Sequence, residues 1–333
     1  FRRVLFRSAG LGAGDKTALA ALVRRIADTG VAVVLVEHDM TLVMGISDRI
    51  AVLDAGMKIA DGTPAEVRVD PAVRKAYLGE EMSIAAAPRA ATGKRETMLE
   101  TVDLVAGYGA EPVLKGVSVT VGAGEMVAVL GANGAGKSTL MKALSGLRRP
   151  VQGRIALNGR EIAELPAHRI VTQGLILVPE GRQVFPELSV LDNIRLGAFT
   201  RSDDRVEPDV ETALQRFPRL RERLHNRAGL LSGGEQQMLA LARALGTGPR
   251  LLMVDEMSLG LAPIIVERLL PMLRDAARTT GTGVLLVEQH VAMALEVADR
   301  ATVLSRGVAV ASGPAAELAR RRDLLEASYL GEA

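Results

Sequence analysis

Gly131-Ala132-Asn133-Gly134-Ala135-Gly136-Lys137-Ser138 matches the pattern G-x-x-x-x-G-K-[ST] at every fixed position. Upstream, Glu125-Met126-Val127-Ala128-Val129-Leu130 reads as a short buried strand, and downstream Thr139 to Leu144 opens a helix. Strand, glycine-rich turn and helix N-terminus are the setting this pattern needs in order to cradle phosphate. The glycines let the backbone turn with its N–H groups inward, and the helix N-terminus favours negative charge. Lys137 is placed to reach the outer phosphates and the Ser138 hydroxyl to ligate Mg²⁺. Candidate contacts to a nucleoside triphosphate are therefore Gly131, Asn133, Gly134, Gly136, Lys137, Ser138 and Thr139.

Two later segments carry compatible chemistry. Leu231-Ser232-Gly233-Gly234-Glu235-Gln236-Gln237 precedes a helical run from Met238 to Leu245. Ser232, Gly233 and Gly234 offer a hydroxyl and unhindered N–H groups ahead of a helix, a plausible second anion site. Leu251-Leu252-Met253-Val254-Asp255-Glu256 is an apolar run ending in two carboxylates. It reads as a buried strand with acids at its C-terminal end, where ligands of open α/β sheets collect. Phosphoryl transfer needs groups that neutralise developing charge and orient the nucleophile.

In this order and spacing the three segments resemble the ATP-binding cassette (ABC) ATPases. The resemblance implies an α/β P-loop NTPase fold with a RecA-like core, an antiparallel β subdomain and a helical subdomain. It implies ATP and Mg²⁺ as ligands, with Asp255 holding the metal through its water shell and Glu256 polarising the attacking water. It also implies a head-to-tail pair, in which Ser232, Gly233 and Gly234 of one cassette contact the γ-phosphate held by another. Tyr108, in Ala106-Gly107-Tyr108-Gly109, stands where the family places an aromatic that stacks on adenine. Glu180 stands where most relatives have a glutamine that touches Mg²⁺ and water. The segment Val178-Pro179-Glu180-Gly181-Arg182, with Phe185 after it, is similar to one branch, the ATPases of branched-chain amino acid uptake. The segment Ser258-Leu259-Gly260-Leu261-Ala262-Pro263 points to the same branch, although Met257 departs from it and Ala262 lacks the carboxylate usual in the family. Counting by family register from Asp299 places Gln289 at the switch position, with His290 next to it as the alternative γ-phosphate contact. The partners implied are transmembrane permease subunits, a second ABC ATPase and, indirectly, a periplasmic or extracellular solute-binding protein. The implied location is peripheral, at the cytoplasmic face of the cell membrane.

The chain also repeats itself. Residues from about Ala9 to Glu80 echo those from about Gly260 to Glu332, with Asp48-Arg49 on Asp299-Arg300 and Tyr77-Leu78-Gly79-Glu80 on Tyr329-Leu330-Gly331-Glu332. His38 then falls on Gln289. The first copy has no P-loop, signature or acid pair, so 9–81 resembles the C-terminal fragment of a companion ABC ATPase. Residues 1–8 match neither copy and read as an artefactual N-terminus rather than a targeting signal. Residues 82–97, rich in small and polar types, read as a linker, and 98–333 as a complete cassette. Strand-like runs over 99–130 predict the antiparallel part, Phe185 to Leu230 the helical part, and Ile264 to Arg278 a helix between two core strands.

Composition limits the alternatives. With 41 basic and 39 acidic residues the formal net charge is +2, which argues against a dedicated nucleic-acid binder. The absence of cysteine excludes disulfides and thiolate chemistry, and four histidines make a His-rich metal site a poor expectation. No apolar run approaches the roughly 20 residues of a membrane-spanning helix. A urea or amide importer ATPase of the same branch stays open. So does a soluble ABC ATPase acting on ribosomes or DNA, though such proteins usually show two complete cassettes or long coiled-coil insertions.

Overall fold

The computed structural model describes residues 13–36, 40–54, 57–73, 95–109, 111–199, 206–259, 261, 263–288, 290–321 and 325. Its elements fall into two compact units, one holding those up to Val69 and the other those from Thr97 onward.

The larger unit is organised by strands that are apolar on both faces. β6 (Met126–Leu130), β10 (Leu251–Asp255) and β11 (Gly283–Val287) are buried at every position, the pattern that a parallel sheet covered on two sides demands. With β9 (Leu175–Val178), β12 (Arg300–Ser305) and β13 (Val308–Pro314) they form a six-stranded sheet in the order β13-β12-β6-β11-β10-β9. All neighbours are parallel except β12 and β13. Val287 lies opposite Val129 on one side and Asp255 on the other. The C-terminal ends of β6, β11 and β10 thus finish level, on one rim.

A second, antiparallel sheet joins β3 (Thr97–Gly107), β4 (Pro112–Val117), β5 (Thr120–Gly122), β7 (Gln152–Leu157) and β8 (Arg160–Glu161). The antiparallel part was expected from 99–130. β7 and β8 extend it with residues from beyond the P-loop helix. One apolar cluster includes Leu99, Leu104, Leu114, Leu140, Leu144, Ile155, Met253, Leu285 and Val287, so both sheets share a core. The region 185–230 is helical, with α6 (Val190–Gly197), α7 (Val206–Arg216) and α8 (Pro218–Arg221) packed near α9 (Gly233–Leu245). α10 (Pro263–Thr280) runs slightly beyond the predicted 264–278 and accommodates Pro271.

Asp299, in the turn before β12, ties several of these pieces together. Its carboxylate accepts from the Met126 N–H at 3.0 Å and pairs with Arg95 at 3.3 Å and Arg274 at 3.4 Å. Residues 82–94 of the expected linker lie outside the described residues. Arg95 is already engaged with Asp299, and β3 opens at Thr97, one residue before Met98.

In the smaller unit, α1 (Ala13–Asp28), α2 (Met40–Ile46), β1 (Ile50–Asp54), β2 (Met57–Gly62) and α3 (Pro64–Val69) follow the order of α10, α11 (Val291–Val297), β12, β13 and α12 (Ala315–Arg320). The sequence repeat is therefore also a structural one. Ile50 pairs with Gly62 and Val52 with Ala60, just as Ala301 pairs with Gly313 and Val303 with Ala311. Both hairpins carry a register shift at the same place, Val52/Leu53 and Val303/Leu304. Arg24 donates to the Ile46 carbonyl and to Asp48, as Arg274 does to Val297 and Asp299. A small cluster of Ile50, Ala60, Val67 and Val73 forms its core.

The copies diverge at one element. Val33 to Val36 aligns with strand β11 yet forms no strand, and Val34 and Val36 are 52% and 63% exposed. β11 is held by pairing with β6 on one side and β10 on the other, and residues 1–97 contain no second copy of either. The expected residues 1–8, Tyr77–Glu80 and Tyr329–Glu332 lie outside the described residues.

Asp299→Ala is expected to destabilise the cassette by about 2–4 kcal/mol, because two partly buried guanidinium groups and a strand N–H lose their acceptor. Urea denaturation followed by circular dichroism measures this, and an unchanged midpoint would contradict the role given to Asp299.

Candidate functional site

The glycine-rich turn leaves β6 and enters α4 (Lys137–Leu144) through backbone that only glycine adopts easily. Gly131, Gly134 and Gly136 have φ of 154°, 82° and 108°. A Cβ on Gly131 would stand 2.4 Å from the Leu304 carbonyl oxygen, so strand β12 leaves no room for one. Gly136 caps α4 in the left-handed region without a side-chain cap, and Lys137, Thr139 and Leu140 are buried within the first turn. Ser138 sits at the second helical position, beside Lys137.

Lys137 is only 4% exposed. Its Nζ donates to the Gly131 carbonyl at 2.8 Å and lies 3.7 Å from Glu256 Oε1. Burial lowers its pKa, and the charges of Glu256, Asp255 and Glu288 work in the opposite direction. Asp255, the last residue of β10, is buried as well, and its Oδ1 has no hydrogen-bond partner. Burial, then repulsion from Glu256 and Glu180, raises its pKa to about 7. A buried carboxylate oxygen left without a donor suits a cation with a hard, oxygen-seeking shell. Among the described residues no group of three or more His, Cys, Asp or Glu side chains forms a metal cage.

Glu256 adopts φ of 46°, a left-handed conformation unusual for a side-chain-bearing residue. Its N–H donates to the Val287 carbonyl at 2.9 Å, and the Leu259 N–H donates back to its carbonyl at 3.2 Å. The acid thus heads a tight turn pinned to the end of β11. Two residues on, Ser258 donates from its N–H at 3.0 Å and from its hydroxyl at 2.5 Å to the two oxygens of Glu288. Glu288 is 1% exposed. Sequence reading gave these two residues no role. The available signal was a carboxylate directly following the wholly apolar strand Val284 to Val287.

The remaining candidates are distributed as follows. Tyr108 is 55% exposed, with the Arg148 guanidinium 5.0 Å and the Lys142 ammonium 5.5 Å from its ring centre. Arg148 is itself fixed by a 2.6 Å bond to the Gly107 carbonyl. Glu180 is exposed in the loop after β9. In the same loop Arg182 reaches Gln236 of α9, and Arg243 of α9 donates to the Gln183 carbonyl and stacks over Phe185. Ser232 caps α9 in a reciprocal box: its N–H and hydroxyl donate to Glu235 Oε2 at 2.8 and 2.7 Å. Those bonds hold the Glu235 pKa below the ordinary carboxylate range. The Ser232 hydroxyl is therefore engaged inside its own helix cap rather than presented without a partner. Gly233 and Gly234 form the first turn of α9. His290 is exposed at the N-cap of α11. Gln289, Gly260, Ala262 and His38 lie outside the described residues.

Residues 114–258 match the family described as ABC transporter, and residues 57–82 match the family described as branched-chain amino acid ATP-binding cassette transporter. The high-affinity branched-chain amino acid transport ATP-binding protein BraG of Pseudomonas aeruginosa is 45% identical over 224 residues, covering 67% of this chain and 95% of that protein. The chain belongs to the ABC transporter ATP-binding proteins. A probable branched-chain amino acid transport ATP-binding protein, LivF of Archaeoglobus fulgidus, is 41% identical over 225 residues, 66% of this chain and 94% of that one. A solved ATP-binding subunit of an ABC transporter matches 71% of this chain and 97% of its own with a TM-score of 0.61 at 34% identity. As an ABC transporter ATP-binding protein the chain is a nucleotide-binding ATPase. No helix among the described residues is long and apolar enough to cross a membrane.

The raised pKa of Asp255 sets a pH dependence. Between the unfolded value of 3.8 and the folded value of about 7, the folded chain holds more protons than the unfolded one. Stability contributed by this group is therefore complete below the unfolded value and falls as pH rises towards 7. Asp255→Asn is expected to raise the nucleotide-free melting temperature by a few degrees at pH 8 and much less at pH 5. Thermal scans at both values check this, and an equal change at both would contradict it.

Proposed function

We propose that this chain is the ATP-hydrolysing subunit of an importer for branched-chain amino acids. The observation that carries the hydrolytic reading is the buried group of Lys137, Asp255 and Glu256 at the foot of the P-loop, with one Asp255 oxygen lacking any partner. The solute assignment draws support from the names of the two relatives, the match at 57–82 and the Pro179-Glu180-Gly181-Arg182 segment.

Gly131, Asn133, Gly134, Gly136 and Thr139 would line the phosphates, and Lys137 would exchange the Gly131 carbonyl for phosphate oxygens. Ser138 and Asp255, with Glu180 close enough to act on Asp255, would hold Mg²⁺, which supplies positive charge to the phosphate oxygens when bound. Glu256 would orient the attacking water, an assignment consistent with its fixed turn beside Lys137. Tyr108, flanked by Arg148 and Lys142, would offer its exposed ring to adenine. Ser232, Gly233 and Gly234 would act on ATP held by a second cassette, with the Ser232 hydroxyl released from Glu235. Gln289 or the adjacent His290 would complete the γ-phosphate contacts. Its partners would be a second ATPase, permease subunits and an indirectly coupled solute-binding protein, with the chain working at the cytoplasmic face of the membrane.

Glu256→Gln is expected to lower the ATP turnover rate by about a hundredfold or more while nucleotide stays bound, whereas Lys137→Ala loses nucleotide affinity itself. Steady-state hydrolysis beside equilibrium nucleotide binding separates the two, and an intact rate in Glu256→Gln would overturn the assignment. Residues 95–333 alone are expected to hydrolyse ATP at the rate of the whole chain. In vesicles carrying the permease subunits and binding protein, leucine should drive hydrolysis and urea should not; the reverse would move the chain to the amide branch.

A further inference from the structure

The turn that carries Glu256 is fastened to β11 at two levels. Its first N–H donates to the Val287 carbonyl at 2.9 Å, and Ser258 donates twice to the adjacent Glu288 carboxylate at 3.0 and 2.5 Å. Both Ser258 and Glu288 are buried, at 6% and 1% exposure. Glu288 is also joined to the P-loop strand, its N–H donating to the Val129 carbonyl at 3.4 Å. A buried carboxylate is costly unless donors satisfy it, so a charged residue at this depth needs a compensating partner. Left-handed backbone at Glu256 adds a reason for a clamp, because such a conformation persists only where its surroundings over-determine it.

We propose that Glu288 and Ser258 are positioning residues for hydrolysis. Through the two bonds from Ser258, Glu288 holds the Glu256 turn at the height set by the end of β11. In sequence it is followed directly by Gln289 and His290, the residues proposed above to complete the γ-phosphate contacts. The Ser258–Glu288 pair gives the loop a link within its own cassette. The inference rests on the reading of Glu256 as the residue that orients water.

The test is a double-mutant cycle with Ser258→Ala, Glu288→Gln and the pair, plus Ser258→Thr, in the full chain. Each single variant is expected to lower kcat for ATP about ten- to a hundredfold, the range expected when a reacting group is displaced by about 1 Å. KM and nucleotide affinity should stay within about twofold, the double variant should be no slower than the slower single, and Ser258→Thr should restore most of the rate because it keeps the hydroxyl. Melting temperatures taken alongside show whether each variant is folded. Full kcat in Ser258→Ala, losses that add in the double variant, or a fall in kcat matched by an equal fall in nucleotide affinity would each overturn the proposal. Glu256→Gln in the same assay keeps the two readings apart. If it is inactive while Ser258→Ala is at full rate, only the clamp fails, and if it is fully active, the underlying assignment fails.

Discussion

Three neighbouring parallel strands that finish level with one another are the constraint on which the rest of the chain depends. β6, β11 and β10 can lie side by side only if their residues are apolar enough to be covered on both faces, and their sequences meet that demand up to Asp255 at the end of β10. Because the strands run the same way, whatever follows each of them emerges on one rim. The P-loop, the turn headed by Glu256 and the segment beginning at Glu288 are thereby neighbours, although the P-loop lies more than a hundred residues before the other two in sequence. Covering the sheet on two sides creates the dry floor, and ending the strands together brings the polar groups to it.

That dry floor determines the electrostatics. Lys137, Asp255, Glu256 and Glu288 would be ordinary charges on a surface, but here each needs an answer from its neighbours. Glu288 obtains it from Ser258, Lys137 from the Gly131 carbonyl and from Glu256, and Asp255 through a pKa that burial raises to about 7. A cation bound beside Asp255 would favour its charged form. A nucleotide site of this type is thus a set of buried charges whose partners can be exchanged.

Much of this was legible before any coordinates. The P-loop, the signature segment and the acid pair combine unusual residue types with strict spacing, and their strand and helix contexts follow from apolar runs and glycine placement. The repeat was visible too, since Asp48-Arg49 and Asp299-Arg300 align whole segments. The Ser258–Glu288 pair was not, because nothing in sequence distance announces that residues thirty apart meet inside a core. Neither was the hub at Asp299, which served only as a register mark until it was seen to gather Arg95, Arg274 and the Met126 N–H. The capping box at Ser232 was not spelled out either: Ser-x-x-Glu is itself a helix-start pattern, and in the structure it engages the hydroxyl that is proposed to meet phosphate.

The two hairpins, β1–β2 and β12–β13, keep the same pairings and the same irregularity although only one of them borders a strand of the P-loop sheet. Their shape is consequently written in their own residues, whereas Val33 to Val36 shows that an inner strand of the same lineage takes its shape from what lies on either side. This sorts the cassette into parts by what each needs in order to hold its shape. A hairpin of this kind keeps its pairings on the strength of its own residues and the apolar side chains packed on it. The inner strand draws its shape from a partner on either side, so the geometry of the nucleotide rim is the part of the cassette that belongs to no single segment of the chain.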